Sequence, residues 1–252
     1  LTLGLNNKPK LSNETFRLIS GLIYSRCGIF FADTKKYLLE ARLQKRLEEK
    51  NLKTFEDYYY YLTYDTEKEK EMARLLNVIV TNETSFFRDL TQINSFRNGV
   101  MPRLLSDKEK RGSRHIRLWS AACSTGEEPY TLAILLLEDE LSSRGFSMEV
   151  LASDVSDNVL KSAQAGVYEK YSLRNTPEAY IAKYFKGGAD TYAINKRVQE
   201  LVRYKKINLY DALETNTVKS VDVIFCRNVL IYFDDASKKK VLGHLYDSLC
   251  KG

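Results

Sequence analysis

The stretch from Ile116 to Tyr130, IRLWSAACSTGEEPY, constrains the fold more than any other part of the sequence. Residues 116–119 alternate apolar and polar side chains, which is typical of a short strand. Residues 120–126 are all small, and the closing Gly126 frees the backbone from Cβ sterics. Residues 127–129, Glu-Glu-Pro, suit the first turn of a helix. A strand, a small-residue loop and a helix predict the nucleotide-binding opening of an α/β domain.

The loop lacks the sequence of a phosphate-binding site. It has neither the GxGxxG glycines nor a closing Lys-Ser/Thr pair, and the helix start already carries two carboxylates, Glu127 and Glu128. We therefore expect a ligand with a positive group and no phosphate. S-adenosylmethionine fits, because it combines an adenosine, an ammonium and a sulfonium. A second interpretation stays open, in which the two glutamates only complement the helix dipole.

Polar side chains follow two further predicted strands. The strand 149–153 ends at Asp154, at the interval past the first loop where open α/β sheets bind ribose hydroxyls. Asp154 is the predicted sugar ligand, although an isolated aspartate after a strand is usually a helix cap, the role that we predict for Asp157. Asn228 follows the buried strand 221–225, where these sheets hold ligands.

Residues 12–80 predict a small helical domain with four short amphipathic helices. Each helix has a residue placed to cap it: Ser12, Thr34, Thr54 with Asp57, and Thr66 with Glu69. The predicted inward face of the second helix comprises Tyr37, Leu38, Ala41 and Leu47, and that of the fourth comprises Met72, Leu75, Leu76 and Ile79.

The second helix, residues 35–50, is rich in basic side chains. They are Lys35, Lys36, Arg42, Lys45, Arg46 and Lys50, against Glu40, Glu48 and Glu49. We expect them to form a basic outer surface, which is either a solvated helix face or a docking face for an acidic partner.

The segment 81–89, TNETSFFRD, interrupts the helical pattern. It can bury the aromatic side chains of Phe86 and Phe87. Its polar side chains, Asn82, Thr84 and Arg88, then project from the segment. We expect a helix over 89–105 and a charged hinge at 106–114.

The part of the chain from 167 to 205 does not resemble another strand–helix–strand unit. It is rich in tyrosine and has a short predicted helix at 177–185 and a Gly187-Gly188 turn, after which residues 191–194 and 198–204 alternate. We predict a small antiparallel insert, placed to contact a partner. The chain returns to the main sheet near 207–209, and a last helix covers 236–250.

Composition excludes several classes of protein. The net charge of +6 comes from 39 basic and 33 acidic residues mixed throughout, so charge alone does not choose between nucleic acid and an acidic protein. Four dispersed cysteines and two histidines argue against a zinc site or a disulfide scaffold, and for a reducing compartment. No apolar run approaches the roughly 20 residues that span a bilayer, and residues 1–10 lack the pattern of a signal peptide. We expect a cytoplasmic protein.

Three stretches together resemble one known family. NETSFFRD at 82–89, WSAACSTGEEPY at 119–130 and FCRNVLIYFD at 225–234 are similar, in order and spacing, to the CheR chemotaxis receptor methyltransferases. The resemblance implies a Rossmann-like S-adenosylmethionine-dependent α/β domain with an N-terminal all-α domain and a small inserted β-subdomain. It also implies methylation of glutamate side chains on the cytoplasmic helices of chemoreceptors, with S-adenosylhomocysteine as the product.

The resemblance also assigns site residues and domains. The implied cofactor-binding residues are Asn82, Thr84, Arg88, Glu127, Asp154, Asn208, Leu209, Arg227 and Asn228. We predict domains at 1–88, at 89–114 as linker helix and hinge, and at 115–252 with the insert at about 167–205. Family members continue their sheet after a turn like Lys251-Gly252, so we expect the last strands to be missing here. The basic helix 35–50 and the insert are the implied receptor-docking surfaces of a monomer.

The expected chemistry needs no dedicated catalytic residue or metal. A glutamate with a pKa near 4.3 is already ionised at neutral pH, so methyl transfer to it needs no general base. Arg88 is expected to position the cofactor. Tyr232 lines the acceptor channel in one interpretation and is a core tyrosine in the other, and Cys123 and Cys226 are expected to be small apolar fillers.

Two other classes remain open from the sequence alone. A nucleic-acid methyltransferase would share the cofactor site and use the basic helix on phosphates, although we expect no nucleic-acid partner. A non-catalytic CheR-like adaptor would keep the fold without turnover.

Overall fold

A computed structural model of the chain describes residues 8–80 and 82–250. The described residues exclude 1–7, 81 and 251–252. The predictions for the first residues of the chain, for Thr81 and for the Lys251-Gly252 turn therefore lie outside them. The described residues form two compact units. We call residues 8–80 with 231–238 the helical unit, and residues 82–230 with 239–250 the sheet unit. The predicted domain boundaries at 88 and 114 stay predictions.

The helical unit confirms the four predicted helices within residues 8–80. Ser12 caps the first, accepting a hydrogen bond from the Thr15 N–H at 3.0 Å. The predicted capping box of Thr54 and Asp57 is present, with bonds of 3.1 and 3.2 Å. The helices are α1 (Asn13–Cys27), α2 (Lys36–Lys50), α3 (Phe55–Tyr64) and α4 (Lys68–Ile79), with a 3-10 turn at Asp33–Lys35.

Two predicted caps are wrong. Thr34 lies inside the 3-10 turn, and α2 begins without a side-chain cap, because the turn itself supplies the first helical hydrogen bonds. Thr66 does not cap α4. The Asp65 carboxylate accepts from the Glu67 N–H at 2.8 Å instead, so the competing acid one residue earlier holds the turn.

The predicted inward face of α4 is confirmed, whereas that of α2 is right for Leu47 and wrong for Tyr37, Leu38 and Ala41. Tyr37 is 71% exposed, and the buried row consists of Leu39, Leu43 and Leu47 with Arg46. The sequence offers two apolar rows on α2, and the all-leucine row at i, i+4 and i+8 is the one that packs.

Arg46 corrects the prediction of a basic outer surface on α2. It is only 5% exposed, and its guanidinium donates from Nε to Glu71 Oε1 and from Nη2 to Oε2, each at 2.8 Å. The Tyr58 hydroxyl donates to the same carboxylate at 2.9 Å. A buried arginine needs such a partner, and the glutamate on α4 that supplies it could not be identified from the α2 sequence.

Two more basic residues of α2 are occupied inside the helical unit. Arg42 donates to the carbonyl of Ile79, and Lys50 donates to the Tyr61 hydroxyl at 2.9 Å. The exposed basic side chains of α2 and the preceding turn include Lys35 and Lys45. The basic surface is therefore smaller than predicted.

The sheet unit begins with helical segments and then alternates strands and helices. Its helices are α5 (Leu90–Ser95), α6 (Met101–Lys110), α7 (Glu127–Glu138), α8 (Asp157–Ala165), α9 (Glu178–Tyr184), α10 (Lys196–Gln199) and α11 (Ala212–Thr215). The last helix, α12 (Asp235–Tyr246), starts in the segment grouped with the helical unit. The strands are β1 (His115–Ala121), β2 (Ser147–Asp154), β3 (Val167–Glu169), β4 (Phe185–Gly187), β5 (Thr191–Ile194), β6 (Val202–Lys206) and β7 (Val223–Phe225).

The predicted α/β fold with an antiparallel insert is confirmed. Over the described residues, the main sheet has the order β6-β2-β1-β7 with all neighbours parallel, and the insert has the order β3-β5-β4 with antiparallel neighbours. Parallel strands end on one edge, so the carboxyl ends of β1, β2, β6 and β7 lie on the same side of the sheet.

Three local predictions in the sheet unit are wrong. The segment Val202–Lys206 is not part of the insert but the edge strand of the main sheet, in register from Val150 with Val202 to Asp154 with Lys206. Its alternating sequence suits either sheet, so only the observed pairing with β2 shows to which sheet it belongs. The expected hinge is helical as far as Lys110, because α5 continues through a π turn at Phe96–Val100 into α6. Ser156, not Asp157, caps α8, accepting from the Val159 N–H at 3.4 Å.

The helices of the described residues include none that is long and apolar enough to cross a membrane.

Removing the Glu71 carboxylate should destabilise the protein severely. Glu71→Ala removes the buried carboxylate that accepts two hydrogen bonds from Arg46 and leaves this buried charge only the half-exposed Glu49. We expect a loss of about 3–5 kcal/mol in the free energy of unfolding, measured by urea denaturation. Glu69→Ala on the same helix is the control. It breaks the exposed pair with Arg26, formed at 2.6 Å, and should cost at most about 1 kcal/mol. Equal losses in the two variants would contradict the structural role of Glu71.

Candidate functional site

The loop between β1 and α7 closes over the carboxyl end of β2. Its Cys123 N–H donates to the Ser153 carbonyl at 2.8 Å, which ties the loop to the neighbouring strand. Ala122, Ser124 and Gly126 all have positive φ angles, of 65°, 50° and 96°. Non-glycine residues in this region are strained, so the loop keeps this conformation only because the surrounding contacts hold it.

Gly126 is required by packing as well as by backbone conformation. A Cβ atom at this position would lie 2.8 Å from the Cβ of Ala163 and 2.9 Å from the hydroxyl oxygens of Tyr168 and Tyr204. Tyr168 also donates to the Thr125 carbonyl at 2.9 Å. The loop thus packs against Ala163 of α8 and against two tyrosines, one from the insert and one from β6.

Asp154 lies at the end of β2, where the sequence places it. It is 8% exposed, and its two oxygens accept hydrogen bonds from the N–H groups of Ser124 and Ser156, both at 3.0 Å. Burial raises the pKa of Asp154, and the two N–H bonds act in the opposite direction. A carboxylate has about four lone-pair sites, so two remain to accept from a ligand's hydroxyl groups.

Glu127 is buried and forms no ion pair within the described residues. It is 2% exposed, and its carboxylate accepts from the Thr125 hydroxyl at 2.7 Å. Burial raises the pKa of Glu127; the charge of Arg174 opposes the shift, but Glu127 forms no ion pair within the described residues. This carboxylate has the surroundings of a group that binds a cation.

Glu128, the adjacent acid, has its partners inside the protein. It accepts from the Ser120 hydroxyl at 2.7 Å and pairs with Arg227 at 3.2 Å. Burial raises the pKa of Glu128, while Ser120 and Arg227 lower it. Successive residues on a helix point about 100° apart, so the two glutamates serve different surroundings.

The segment 82–89 buries its two phenylalanines, as predicted, and contacts the loop. Phe86 packs edge-to-face on Tyr168 and Phe185, with ring centroids 4.7 and 4.9 Å apart, and Phe87 stacks on Tyr180 at 5.2 Å. The carbonyl of Asn82 accepts from the Ser124 hydroxyl at 3.4 Å. The buried aromatics therefore anchor a polar segment in which Asn82 is exposed and Thr84 and Arg88 are half-buried.

A polar cavity of about 410 Å³ lies beside this segment. Three predicted site residues, Arg88, Arg227 and Asn228, line it. Asp89, Gln92 and Cys226 complete the lining. The resemblance to CheR grouped the three predicted residues, and the structure brings them to one cavity.

Asn208 and Leu209 follow β6 and lie next to the Asp154 segment. The N–H of Ile207 donates to the Asp154 carbonyl at 3.1 Å, which aligns the two chain segments. The Asn208 side-chain oxygen accepts from the Tyr210 N–H at 3.1 Å, and Leu209 is buried. Their place in the wall of the cofactor pocket stays a prediction.

Tyr232 is grouped with the helical unit, unlike the other predicted site residues. It is half-buried, and its carbonyl accepts from the Phe30 N–H at 2.9 Å. Its suggested place in an acceptor channel stays a prediction.

Sequence reasoning missed two parts of the site. It did not find Gln92 as a partner of Arg227, and it did not find the tyrosines next to Gly126. The missing signal is long-range, because Gln92 is separated from Arg227 by 135 residues. The residue pattern alone did not separate Glu127 from Glu128, and only the resemblance to CheR named Glu127 as the cofactor acid.

Comparisons with known proteins agree with this geometry. Residues 82–252 match the family "CheR methyltransferase, SAM binding domain", and residues 14–80 match "CheR methyltransferase, all-alpha domain". Chemotaxis protein methyltransferase 2 of Vibrio cholerae is 33% identical over 98% of this chain and 84% of the relative. The chemotaxis protein methyltransferase of Borreliella burgdorferi is 35% identical over 95% of this chain and 84% of the relative. That of Escherichia coli is 36% identical, with coverages of 96% and 82%.

These matches, over nearly the whole chain, and the carboxylates around the loop of the sheet unit lead to one conclusion: the chain belongs to the CheR methyltransferase family and is an S-adenosylmethionine-dependent methyltransferase.

Proposed function

We propose that this protein transfers the methyl group of S-adenosylmethionine to glutamate carboxylates on the cytoplasmic helices of chemoreceptors, forming methyl esters. The observation that carries the proposal is the buried Glu127 carboxylate, which forms no ion pair in the described part of a domain of the SAM-binding CheR family. The relatives' names, chemotaxis protein methyltransferases, support the receptor as the substrate.

The residues present fit the cofactor. Glu127 offers a negative charge for the ammonium group, and Asp154 keeps acceptor capacity for the ribose hydroxyls. Asn82, Thr84 and Arg88 lie on a segment that is held against the same loop. We assign Glu127 to the amino-acid end and Asp154 to the sugar. Asn208, Leu209 and Asn228 then form the surrounding wall.

Alignment is the main contribution of the protein to the reaction. Bound S-adenosylmethionine supplies an activated methyl group, and the acceptor carboxylate, with a pKa of about 4.3, is ionised at neutral pH. No residue is therefore needed to remove a proton. Holding the two reactants in register can supply as much as about 7–11 kcal/mol of the barrier. Glu127, at the start of α7, and Asp154, at the end of β2, lie on either side of a tightly packed loop and can provide that register.

The docking surface for the receptor follows from what remains exposed. Lys35 and Lys45 stay available on the basic face, whereas Arg46 does not, because it pairs with Glu71. We propose that these lysines and the insert with its β4–β5 hairpin meet the acidic receptor helices. We further propose that the protein acts in the cytoplasm as a monomer.

The sugar assignment predicts a loss of affinity in Asp154→Ala. Hydrogen bonds to a charged group contribute about 1.5–3 kcal/mol, so S-adenosylhomocysteine should bind about 10- to 100-fold more weakly by calorimetry. The control is Asp157→Ala, which removes an exposed acid that pairs with Lys206 at 2.5 Å and should leave the affinity unchanged. An unchanged affinity in Asp154→Ala would remove the sugar assignment.

Glu127 should oppose stability while it supports binding. Its pKa is raised, so the folded protein holds this proton more tightly than the unfolded chain does, and the stability that this provides is lost as the pH rises through the folded-state pKa. Glu127→Gln should therefore melt at a higher temperature than wild type at pH 7 without ligand, and bind S-adenosylhomocysteine more weakly.

The pH dependence of binding gives a second measurement on the same variant. Protonation of Glu127 removes the charge that pairs with the ammonium, so wild-type affinity should fall with decreasing pH, starting above the ordinary carboxyl range. Glu127→Gln should show a shallower dependence. A variant with lower melting temperature and unaltered affinity would contradict the assignment.

The substrate proposal is tested with methyl-labelled cofactor and receptor-bearing membranes. We expect label on the receptor that is released by mild alkali, as methyl esters are, and little label with Asp154→Ala. Receptors whose acceptor glutamates are replaced by alanine are the control. Label on added RNA, with none on the receptor, would favour a nucleic-acid methyltransferase instead.

A further inference from the structure

The guanidinium of Arg227 bonds to two segments of the sheet unit, residues 88–92 and the first turn of α7. Its Nε donates to the Gln92 side-chain oxygen at 2.7 Å, Nη1 to Glu128 Oε2 at 3.2 Å, and Nη2 to the carbonyl of Arg88 at 2.6 Å. Each of its three nitrogens therefore has a partner within the protein. Arg88 directly precedes Asp89, the N-cap of α5, so these contacts join the start of α5 to the start of α7.

Glu128 fixes the guanidinium in this position. The carboxylate accepts from the Ser120 hydroxyl at the end of β1, so Arg227 is tied through Glu128 to the central strand of the sheet. Glu128 and Arg227 are both largely buried, with 14% of each side chain exposed. An ion pair in such surroundings keeps a defined geometry, because neither group can exchange its partner for water without cost.

The backbone around Arg88 is strained and needs external support. Phe87 and Asp89, on either side of it, have positive φ angles of 52° and 60°. Each such residue costs roughly 1–2 kcal/mol relative to the ordinary helical region. The Phe87 N–H donates to the Thr131 hydroxyl at 3.1 Å, and the Asp89 carboxylate caps α5. The bond from Arg227 holds the residue between them.

We propose that Glu128 and Arg227 are positioning residues, which act on the cofactor through the backbone of Arg88 rather than by touching the cofactor themselves. The inference rests on the proposed function, in which Arg88 is one of the cofactor-binding residues. It separates Arg227 from Arg88, although the two line one cavity and both are basic.

The geometry also explains why lysine should not replace Arg227. The planar guanidinium presents donors in several fixed directions, whereas a lysine ammonium is a single point charge on a flexible chain. Lysine at 227 would preserve the charge beside Glu128 but could not reach Gln92, Glu128 and the Arg88 carbonyl together.

A double-mutant cycle of Arg88→Ala and Arg227→Gln tests the inference, with S-adenosylhomocysteine affinity measured by calorimetry. We expect each single variant to bind at least about tenfold more weakly, because each loses a charged hydrogen bond or its support. If Arg227 acts through Arg88, the double variant should bind no more weakly than Arg88→Ala. Losses that multiply would show an independent contact of Arg227 with the cofactor and overturn the proposal.

Hydrogen exchange of the ligand-free protein gives a second measurement. Glu128→Gln, Arg227→Lys and Arg227→Gln should all speed amide exchange in residues 86–92 while β1 and β2 stay protected, which shows that the variants remain folded. Asp139→Asn is the matched control. It breaks another ion pair of α7, that with Arg97 at 3.1 Å, and should leave exchange at 86–92 and S-adenosylhomocysteine affinity unchanged.

Unchanged exchange at 86–92 in the Arg227 and Glu128 variants would overturn the positioning role, whatever their affinity. Because this measurement needs no ligand, it is independent of the proposed function. Wild-type protein that fails to bind S-adenosylhomocysteine would instead count against the proposed function itself.

Discussion

The hydrogen bond from the Ser124 N–H to Asp154 ties the loop between β1 and α7 directly to the proposed sugar-binding carboxylate. It links a strained loop, with left-handed residues at 122, 124 and 126, to the end of the neighbouring strand. The tyrosines and Ala163 below Gly126 leave no room for a side chain there, so the loop can close only in this way. Because the loop is rigid, the acid that follows it is held in one place.

Two adjacent acids are then used in opposite ways. Glu128 is neutralised by Arg227 and helps to hold the chain segment at Arg88, while Glu127 stays buried without an ion pair in the described structure. A buried charge without a partner opposes folding, and such groups persist where function requires them. A cationic ligand removes this unfavourable contribution when it binds. The proposed role of Glu127 predicts selectivity for an ammonium-bearing nucleoside over a phosphate-bearing one.

The sequence predicted the architecture well where its signals were local. The strand, loop and helix around Gly126, the capping box at Thr54, the burial of Phe86 and Phe87 and the place of Asp154 all follow from short patterns. The sequence-based predictions were wrong where a residue's position depends on a partner distant in sequence. Arg46 is buried because Glu71 lies on another helix, and residues 202–206 join the main sheet because β2 accepts them. For the same reason the residue pattern alone did not separate Glu127 from Glu128, and only the resemblance to CheR named Glu127.

The central claim is that Glu127 recognises the ammonium group of the cofactor. It is tested most directly by comparing S-adenosylhomocysteine with 5′-methylthioadenosine, which has the same nucleoside but no amino-acid part, in calorimetry on wild type and Glu127→Gln. A charged hydrogen bond is worth about 1.5–3 kcal/mol, so wild type should prefer S-adenosylhomocysteine by at least about tenfold. The variant should lose most of that preference. Equal affinity of wild type for the two ligands, or an unchanged preference in the variant, would contradict the claim.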